Sequence, residues 1–337
     1  MDSNGNIRVG IIGLGVGERH IRCFQAHPRC RVTALCDLDA SRLASTSSLV
    51  PDARLTQNAD ELLTAPDIDA VSIASYDDAH CRQALRAIEH GKHLLVEKPM
   101  CVSEDEARSI RRALSAHPEI KLTSNHVLRL SSRFQELKRR ISEGEFGDIY
   151  HMEGDYQYGR LHKITHGWRG RLEHYSVVLG GAIHVIDLLL WLTGDEVAEV
   201  TACGNRIASR GSGFRFDDFV VALLKLKSGA VAKVSANFGC PRPHFHAVEI
   251  HGTRKLFINR PDAAEIHGST DKNATPELMH TPYRDYQKKE LICSFIDAIL
   301  GSGPPLVSPE DVFRTLSVCF AINKAAATGA TVAPEPL

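Results

Sequence analysis

The chain has 337 residues, 43% of them apolar and 24% charged, with 40 basic and 41 acidic side chains and a formal net charge of -1. That length exceeds what one hydrophobic core ordinarily serves, so two domains are expected. The balanced charge excludes an electrostatic footprint for nucleic acid or an anionic membrane surface. No apolar run is long and unbroken enough to span a bilayer. Asp2 stands near the start without a basic segment, which argues against a secretory leader. Nine cysteines without a C-x-x-C pair or metal-like spacing read as reduced thiols of a cytoplasmic protein.

Ile7–Ile12 reads as a strand, and Gly13-Leu14-Gly15-Val16-Gly17-Glu18 follows at once. A helix is expected from about Glu18 to a break near Pro28, then a strand Arg31–Cys36 that ends in Asp37. A glycine turn between strand and helix suits a pyrophosphate. Small residues admit close backbone approach, and the helix N-terminus offers unpaired N–H groups and a positive dipole end. Gly13, Gly15, Val16 and Gly17 are therefore candidate cofactor-binding residues. A full G-x-G-x-x-G would need glycine where Glu18 stands, so Gly17 reads as the third glycine brought forward by one. Asp37, 20 residues beyond Gly17 (37 minus 17), lies where an acid grips the adenosine ribose. With Leu38 after it rather than an arginine, Asp37 would repel a 2′-phosphate, which favours NAD over NADP.

The alternation continues. Asn58 and Glu61 have capping-box spacing before a short helix. Ala70–Ala74 is a buried strand, Ser75 to His80 a loop at its carboxyl edge, and the next helix runs to Gly91. Leu94–Val96 is a short strand stopped by Glu97-Lys98-Pro99, because proline has no N–H to donate to the ladder. By itself the triplet reads as readily as a strand-capping ion pair. In an open parallel sheet, however, ligands collect beyond the carboxyl ends of strands, where Lys98 stands. Ser103 and Glu106 begin a helix that ends before Pro118, and Lys121–Ser124 is the closing strand. The class is α/β: a Rossmann-type, doubly wound parallel sheet over residues 1–124.

Residues 125–337 read as an α+β domain. A helix spans Ser131–Glu143. Strands Asp148–Tyr158, Val197–Ile207, Asp217–Leu226, Ala230–Phe238 and Phe245–His251 suggest a large, mostly antiparallel open sheet. Late helices span about Tyr286–Leu300 and Pro309–Ala327, the second with Ser308 as N-cap. The exposed face of such a sheet suggests a homodimer or homotetramer. The segment Gly159 to Arg171 is basic and glycine-punctuated, and Gly180-Gly181 leads into a helix bearing His184 and Asp187. Arg160 and His162 are candidate substrate contacts, and the basic run suits a phosphorylated or nucleotide-linked substrate. His162 and His166 could share a helical face, but no cysteine or carboxylate completes a site, so no metal is expected. Asp187 reads as structural, bonded to backbone or to Trp191.

Gly13-x-Gly15, Glu97-Lys98-Pro99, Trp168-Arg169 and Gly180-Gly181-x-x-His184-x-x-Asp187-Leu188-Leu189 together resemble the Gfo/Idh/MocA oxidoreductases, relatives of glucose–fructose oxidoreductase and inositol dehydrogenase. Phe295-Ile296-Asp297-Ala298-Ile299 and Ser308-Pro309-Glu310-Asp311 are similar as well, so the resemblance spans nearly the whole chain. It implies a nicotinamide-dependent enzyme acting on a secondary hydroxyl of a sugar, amino sugar, nucleotide sugar or cyclitol. Lys98 and His184 would be catalytic and would also contact substrate. Ser75, Tyr76, His80, Glu97, Asn125, Trp168 and Arg169 would join the glycine turn around the cofactor. Many members carry Asp four residues before the histidine, where this chain has Gly180. Two other activities occur on the same fold: a glycosidase that uses the nicotinamide only transiently, and a non-catalytic NAD-binding regulator.

Oxidising a secondary alcohol needs a base for the hydroxyl proton while two electrons leave the same carbon. A lysine amine, with a free pKa of about 10.4, needs burial or a neighbouring positive charge to serve as that base at neutral pH. Glu97 would oppose this if it faced Lys98, but adjacent strand residues point to opposite faces. His184 could bond the same hydroxyl or relay its proton.

Overall fold

Strand β1 (Ile7–Ile12) is buried at nearly every position, and a strand apolar on both faces must be covered on both. The computed structural model describes residues 1–285 and 288–337 and shows how this is met. The chain forms two compact units. One takes Met1–Asn125 and a late segment that ends at Phe313, with Leu337; the other begins at His126 and includes Arg314–Pro336.

In the first unit, β1 is followed by α1 (Leu14–Gln25), β2 (Cys30–Cys36), α2 (Ala40–Ser47), β3 (Arg54–Thr56) and α3 (Asp60–Leu63). Then come β4 (Ala70–Ile73), α4 (His80–Glu89), β5 (His93–Val96), α5 (Glu104–Ala116) and β6 (Leu122–Ser124). The six strands pair in parallel in the order β3-β2-β1-β4-β5-β6, a doubly wound sheet whose order reverses between β1 and β4. Val9, Ile11, Leu35, Val71, Ile73, Leu94 and Val96 fill its core. The sequence reading does not include β3, which is only three residues long and largely exposed. Helix α1 begins at Leu14 rather than about Glu18. Gly13 alone makes the turn, at φ +85°, so the next residue is already helical. Asn58 Oδ1 accepts from the Asp60 N–H at the start of α3, and Ser103 Oγ accepts from the Glu106 N–H at the start of α5.

In the second unit, α6 (Ser132–Ser142) precedes β7 (Ile149–Gln157), a short α7 (His162–Thr165) and α8 (Ile183–Thr193). Strands β8 (Val197–Asn205), β9 (Phe219–Leu226), β10 (Val231–Asn237), β11 (Phe245–Gly252), β12 (Leu256–Ile258), β13 (Ala264–His267) and β14 (Glu277–Met279) follow. The eight-stranded sheet runs β14-β13-β12-β11-β7-β10-β9-β8 and is antiparallel except where β7 meets β10. The sequence reading stops at β11; the three later strands have three or four residues each, too few to show an alternation. Met152, Ala222, Leu224, Val234, Val248 and Ile250 are buried on one sheet face. Gly154 lets α8 settle there: a Cβ on it would lie 3.1–3.2 Å from Leu189 and Val185. The opposite face leaves Leu223 and Val231 exposed.

Helix α9 (Lys288–Ile299) and α10 (Pro309–Thr328) close the chain. The expected helix start at Tyr286 lies outside the described residues. Ser308 Oγ accepts from the Asp311 N–H, while Asp311 Oδ2 accepts from the Ser308 N–H, a reciprocal cap. Among the described residues no helix is long and apolar enough to cross a membrane. All nine cysteines are free thiols.

Asp187 is structural, but its partners differ from the expected backbone or Trp191. Its carboxylate takes a bidentate pair from Arg129, at 2.8 and 2.6 Å, with His126 Nδ1 at 3.4 Å and the Thr315 hydroxyl at 3.3 Å. Trp191 lies under the Arg129 guanidinium instead, at 6.0 Å. Both ions are buried, so removing one leaves the other uncompensated. Asp187→Ala is expected to destabilise the fold by about 3–5 kcal/mol, read from urea or thermal melts against the parent.

Candidate functional site

Five strand ends of the first unit carry the predicted residues to one edge of the sheet. Gly13 follows β1, Asp37 follows β2, Ser75 follows β4, Glu97 and Lys98 follow β5, and Asn125 follows β6. This is the carboxyl edge, where open parallel sheets bind ligands.

Each glycine of the turn has a distinct reason. A Cβ on Gly13 would run into the Ala74 carbonyl and lie 2.6 Å from the Ser75 nitrogen, so the loops after β1 and β4 touch through backbone. A Cβ on Gly17 would lie 2.9 Å from Ile11 Cγ2, so this glycine sets the close packing of helix on strand. Gly15 and Val16 are exposed on the first turn of α1, which has no side-chain cap. The orphan N–H groups of such a turn are what a pyrophosphate takes. Asp37 Oδ2 accepts from the Leu14 N–H at 2.7 Å, while Oδ1 accepts from the Asp39 N–H at 2.9 Å. Arg42 Nε lies 3.9 Å from Asp37, a cation five residues past the acid that the Asp37-Leu38 pair by itself does not reveal.

The other loops are tied together from behind. His80 is buried, with Nδ1 at 2.7 Å from the Pro99 carbonyl oxygen and Nε2 at 3.2 Å from the Ser75 carbonyl oxygen. It bridges the loops after β4 and β5. Ser75 Oγ donates to Gln83, and the Tyr76 ring is half exposed beside it. The Lys98–Pro99 peptide is cis, and Lys98 is partly exposed.

Glu97 is not a surface partner for Lys98. Its carboxylate is buried, and Oε1 gathers Lys288 Nζ at 2.5 Å, Asn125 Nδ2 at 2.6 Å and His20 Nε2 at 3.1 Å. Oε2 accepts from the Lys98 backbone N–H at 3.3 Å, and His20 Nδ1 is 2.9 Å from Ser72 Oγ. Burial alone would push the Glu97 carboxyl up, but the Lys288 ammonium and the His20 hydrogen bond outweigh it and hold it well below the usual carboxylate range. Burial drives His20 down, against the pull of Glu97, which keeps its imidazole neutral at neutral pH. Neither His20 nor Lys288 stands out in the sequence, since each is one polar residue on an amphipathic helix. Asn125 Oδ1 is buried without a hydrogen-bond partner among the described residues, an acceptor that a ligand's amide would satisfy. The glycine cradle, the uncapped helix start and this orphan acceptor fit a nicotinamide dinucleotide.

In the second unit His184 opens α8 within a nest of rings on the buried sheet face. Tyr156 stacks on His184 at 6.0 Å and on Tyr158 at 5.7 Å, and His246 meets His184 edge-on at 6.2 Å. His244 approaches Tyr156 and His246 at 5.0 and 4.8 Å. Tyr156 near the end of β7 with Tyr158 just past it, and His246 in β11 with His244 just before it, follow a two-residue repeat, the signal by which the sequence could have marked them. Burial, then His244 and Arg284, holds the His246 imidazole well below its usual range. Burial pushes the Tyr156 phenol well up, against the pull of Arg169 and Arg160. Arg160 lies over the Tyr158 ring at 5.1 Å, and Arg169 over Trp168 at 4.4 Å. His162 is exposed on α7 and takes no part in the ring cluster.

The Glu97 cluster yields a prediction with a sign. A carboxyl depressed in the folded state contributes stability above its unfolded pKa of about 4.3 and loses it as pH falls further. In Lys288→Met, burial becomes the dominant influence and raises the Glu97 carboxyl instead. The variant should lose about 3–5 kcal/mol at pH 7, and its deficit should shrink as melts are repeated towards pH 4.

Comparison with known proteins identifies the family. Residues 7–126 match the model of an oxidoreductase family with an NAD-binding Rossmann fold, and residues 134–258 match the GFO/IDH/MocA C-terminal domain. The chain is 28% identical over 309 residues to 1,5-anhydro-D-fructose reductase of Ensifer adhaerens, covering 88% of this chain and 89% of that protein. It is 25% identical over 334 residues to inositol 2-dehydrogenase 3 of Saccharopolyspora erythraea, covering 97% and 95%. Levoglucosan dehydrogenase in complex with NADH and L-sorbose has the same fold, with a TM-score of 0.86, 22% identity and coverage of 98% and 99%. With both domain models matched in order along one chain, the protein belongs to the Gfo/Idh/MocA family of NAD-binding oxidoreductases.

Proposed function

We propose that the chain is an NAD-dependent dehydrogenase of a secondary hydroxyl on a sugar or cyclitol, with Lys98 as the base and His184 as a second catalytic residue. The observation that carries this reading is the convergence of Gly13, Asp37, Ser75, Lys98 and Asn125 on one carboxyl sheet edge. The relatives named as a 1,5-anhydro-D-fructose reductase and an inositol 2-dehydrogenase support the substrate class.

NAD, when bound, supplies the two-electron acceptor. The first turn of α1 binds its pyrophosphate through backbone N–H groups, and Asp37 selects the ribose. The Lys98 amine takes the hydroxyl proton, and the Glu97 cluster fixes the backbone from which that amine extends. His184 accepts or returns a proton at the imidazole, with its ring plane set by Tyr156. Arg160 and Arg169, flanking the Tyr156–Tyr158 pair, bind an anionic group on the substrate, a phosphate or a nucleotide. The free thiols favour a cytoplasmic setting, and the exposed face at Leu223 and Val231 favours a homodimer or homotetramer.

Lys98→Ala should lower kcat by roughly two orders of magnitude or more while the NADH dissociation constant, read by fluorescence, stays nearly unchanged. Normal turnover in that variant would end the assignment. Asp37→Ala should shift the kcat/KM ratio of NAD to NADP by roughly tenfold or more towards NADP, since a like-charge clash costs several kcal/mol. The arginine pair predicts a KM that rises with ionic strength as salt screens the anionic group.

A further inference from the structure

The segment between β8 and β9 forms a cleft of about 630 Å³ bordered by Arg206, Ser209, Arg210, Ser212, Phe214 and Asp217. No residue of the ring nest around His184 borders it. Phe214 is buried and meets Tyr175 at 6.0 Å, which anchors the segment to the second unit. The Ser209 amide donates to Asp218 Oδ2 at 2.5 Å, and Asp218 is itself buried. Ser209 is therefore held in place and is only 4% exposed, yet its Oγ has no hydrogen-bond partner among the described residues. A buried hydroxyl without a partner costs free energy. Such a group calls for a partner from outside the chain, a water or a ligand.

The side chains around it favour a ligand of one charge. Arg206 donates one N–H of its fork to the Arg215 carbonyl oxygen at 3.3 Å. Arg210 is exposed, and among the described residues its guanidinium meets no carboxylate and no ring. Ser212 Oγ accepts from the Phe214 N–H at 3.2 Å, so its hydroxyl proton remains to be donated. Asp217 opposes an anion, and Arg206 answers that charge: burial and Asp218 push the Asp217 carboxyl up, against the pull of Arg206. Arg210 is then the cation in surplus. Guanidinium forks and hydroxyl donors around one cleft match the oxygens of a phosphate. A metal ion fits poorly, since among the described residues no group of three or more metal-ligating side chains is placed to hold one.

We propose that this cleft is a further ligand site, which binds a phosphate group, free or carried on a sugar, through Arg210, Arg206 and the Ser209 hydroxyl. It shares no residue with the glycine turn or with the arginines at Tyr158 and Trp168. The competing account is a water on Ser209 and no ligand.

The test uses the full chain saturated with NADH, so that the glycine turn is filled. Inorganic phosphate and glucose 6-phosphate are each titrated in, with binding read by calorimetry and by the rise in Tm. Binding should be saturable and should weaken with added sodium chloride. Arg210→Ala should raise the dissociation constant by roughly tenfold. Ser209→Ala should raise it by roughly fivefold while Tm without ligand holds or rises, because the lost hydroxyl bonds nothing in the chain. The double variant Arg160→Ala with Arg169→Ala should bind phosphate as the parent does, whatever it does to turnover. Tighter binding of the ester than of inorganic phosphate would make a phosphorylated sugar the occupant, and equal binding would make it free phosphate. No saturable binding of either probe, or an unchanged dissociation constant in Arg210→Ala or in Ser209→Ala, would overturn the proposal.

Discussion

The first unit depends on one buried carboxylate. Glu97 sits at the end of β5 with an ammonium, an imidazole and an amide converging on its Oε1, drawn from α9, α1 and the end of β6. An isolated carboxylate in that position would be protonated, because desolvation outweighs any gain from charge. Lys288 reverses the balance. A segment nearly two hundred residues away in sequence thus holds the strand end from which Lys98 projects. The His20–Ser72 contact extends the same network under the central strands. A purely apolar plug would pack there as well, but it would not fix the peptide after β5 through a hydrogen bond.

Much of this architecture is legible in the sequence because local signals and tertiary demands agree. The glycine turn, the buried strands Ala70–Ile73 and His93–Val96, and the caps at Ser103 and Ser308 each carry a physical signature within a few residues. What escapes lacks such a signature. Strands β3, β12, β13 and β14 are too short for periodicity. The partners of Glu97 and Asp187 are set by contacts of 28 to 191 residues in sequence separation, which no window reveals. Arg42 escapes for a simpler reason: the helix that carries it turns its guanidinium back towards Asp37.

The second unit organises its site differently. The first unit arranges backbone and charge at strand ends, whereas here aromatic rings line a sheet face. Gly154, Gly180 and Gly181 remove side chains where β7 and the approach to α8 meet, and larger groups fill the space. Tyr156 lies at the centre, touching Tyr158, His184, His244, His246 and Phe238. Its neighbours occur in the sequence as scattered histidines and tyrosines, and only the strand repeat brings them to one side.

The bond between Asp37 and the Leu14 amide has an evolutionary consequence. One carboxylate braces the glycine turn and, under the proposed function, would also face the nucleotide's sugar, so the two traits could not drift independently. A lineage that replaced this acid to accept a phosphorylated coenzyme would also slacken the turn, and would need a second donor–acceptor pair to brace it again. Coenzyme preference in this scaffold is thereby anchored to backbone geometry, which makes it slow to change by single substitutions.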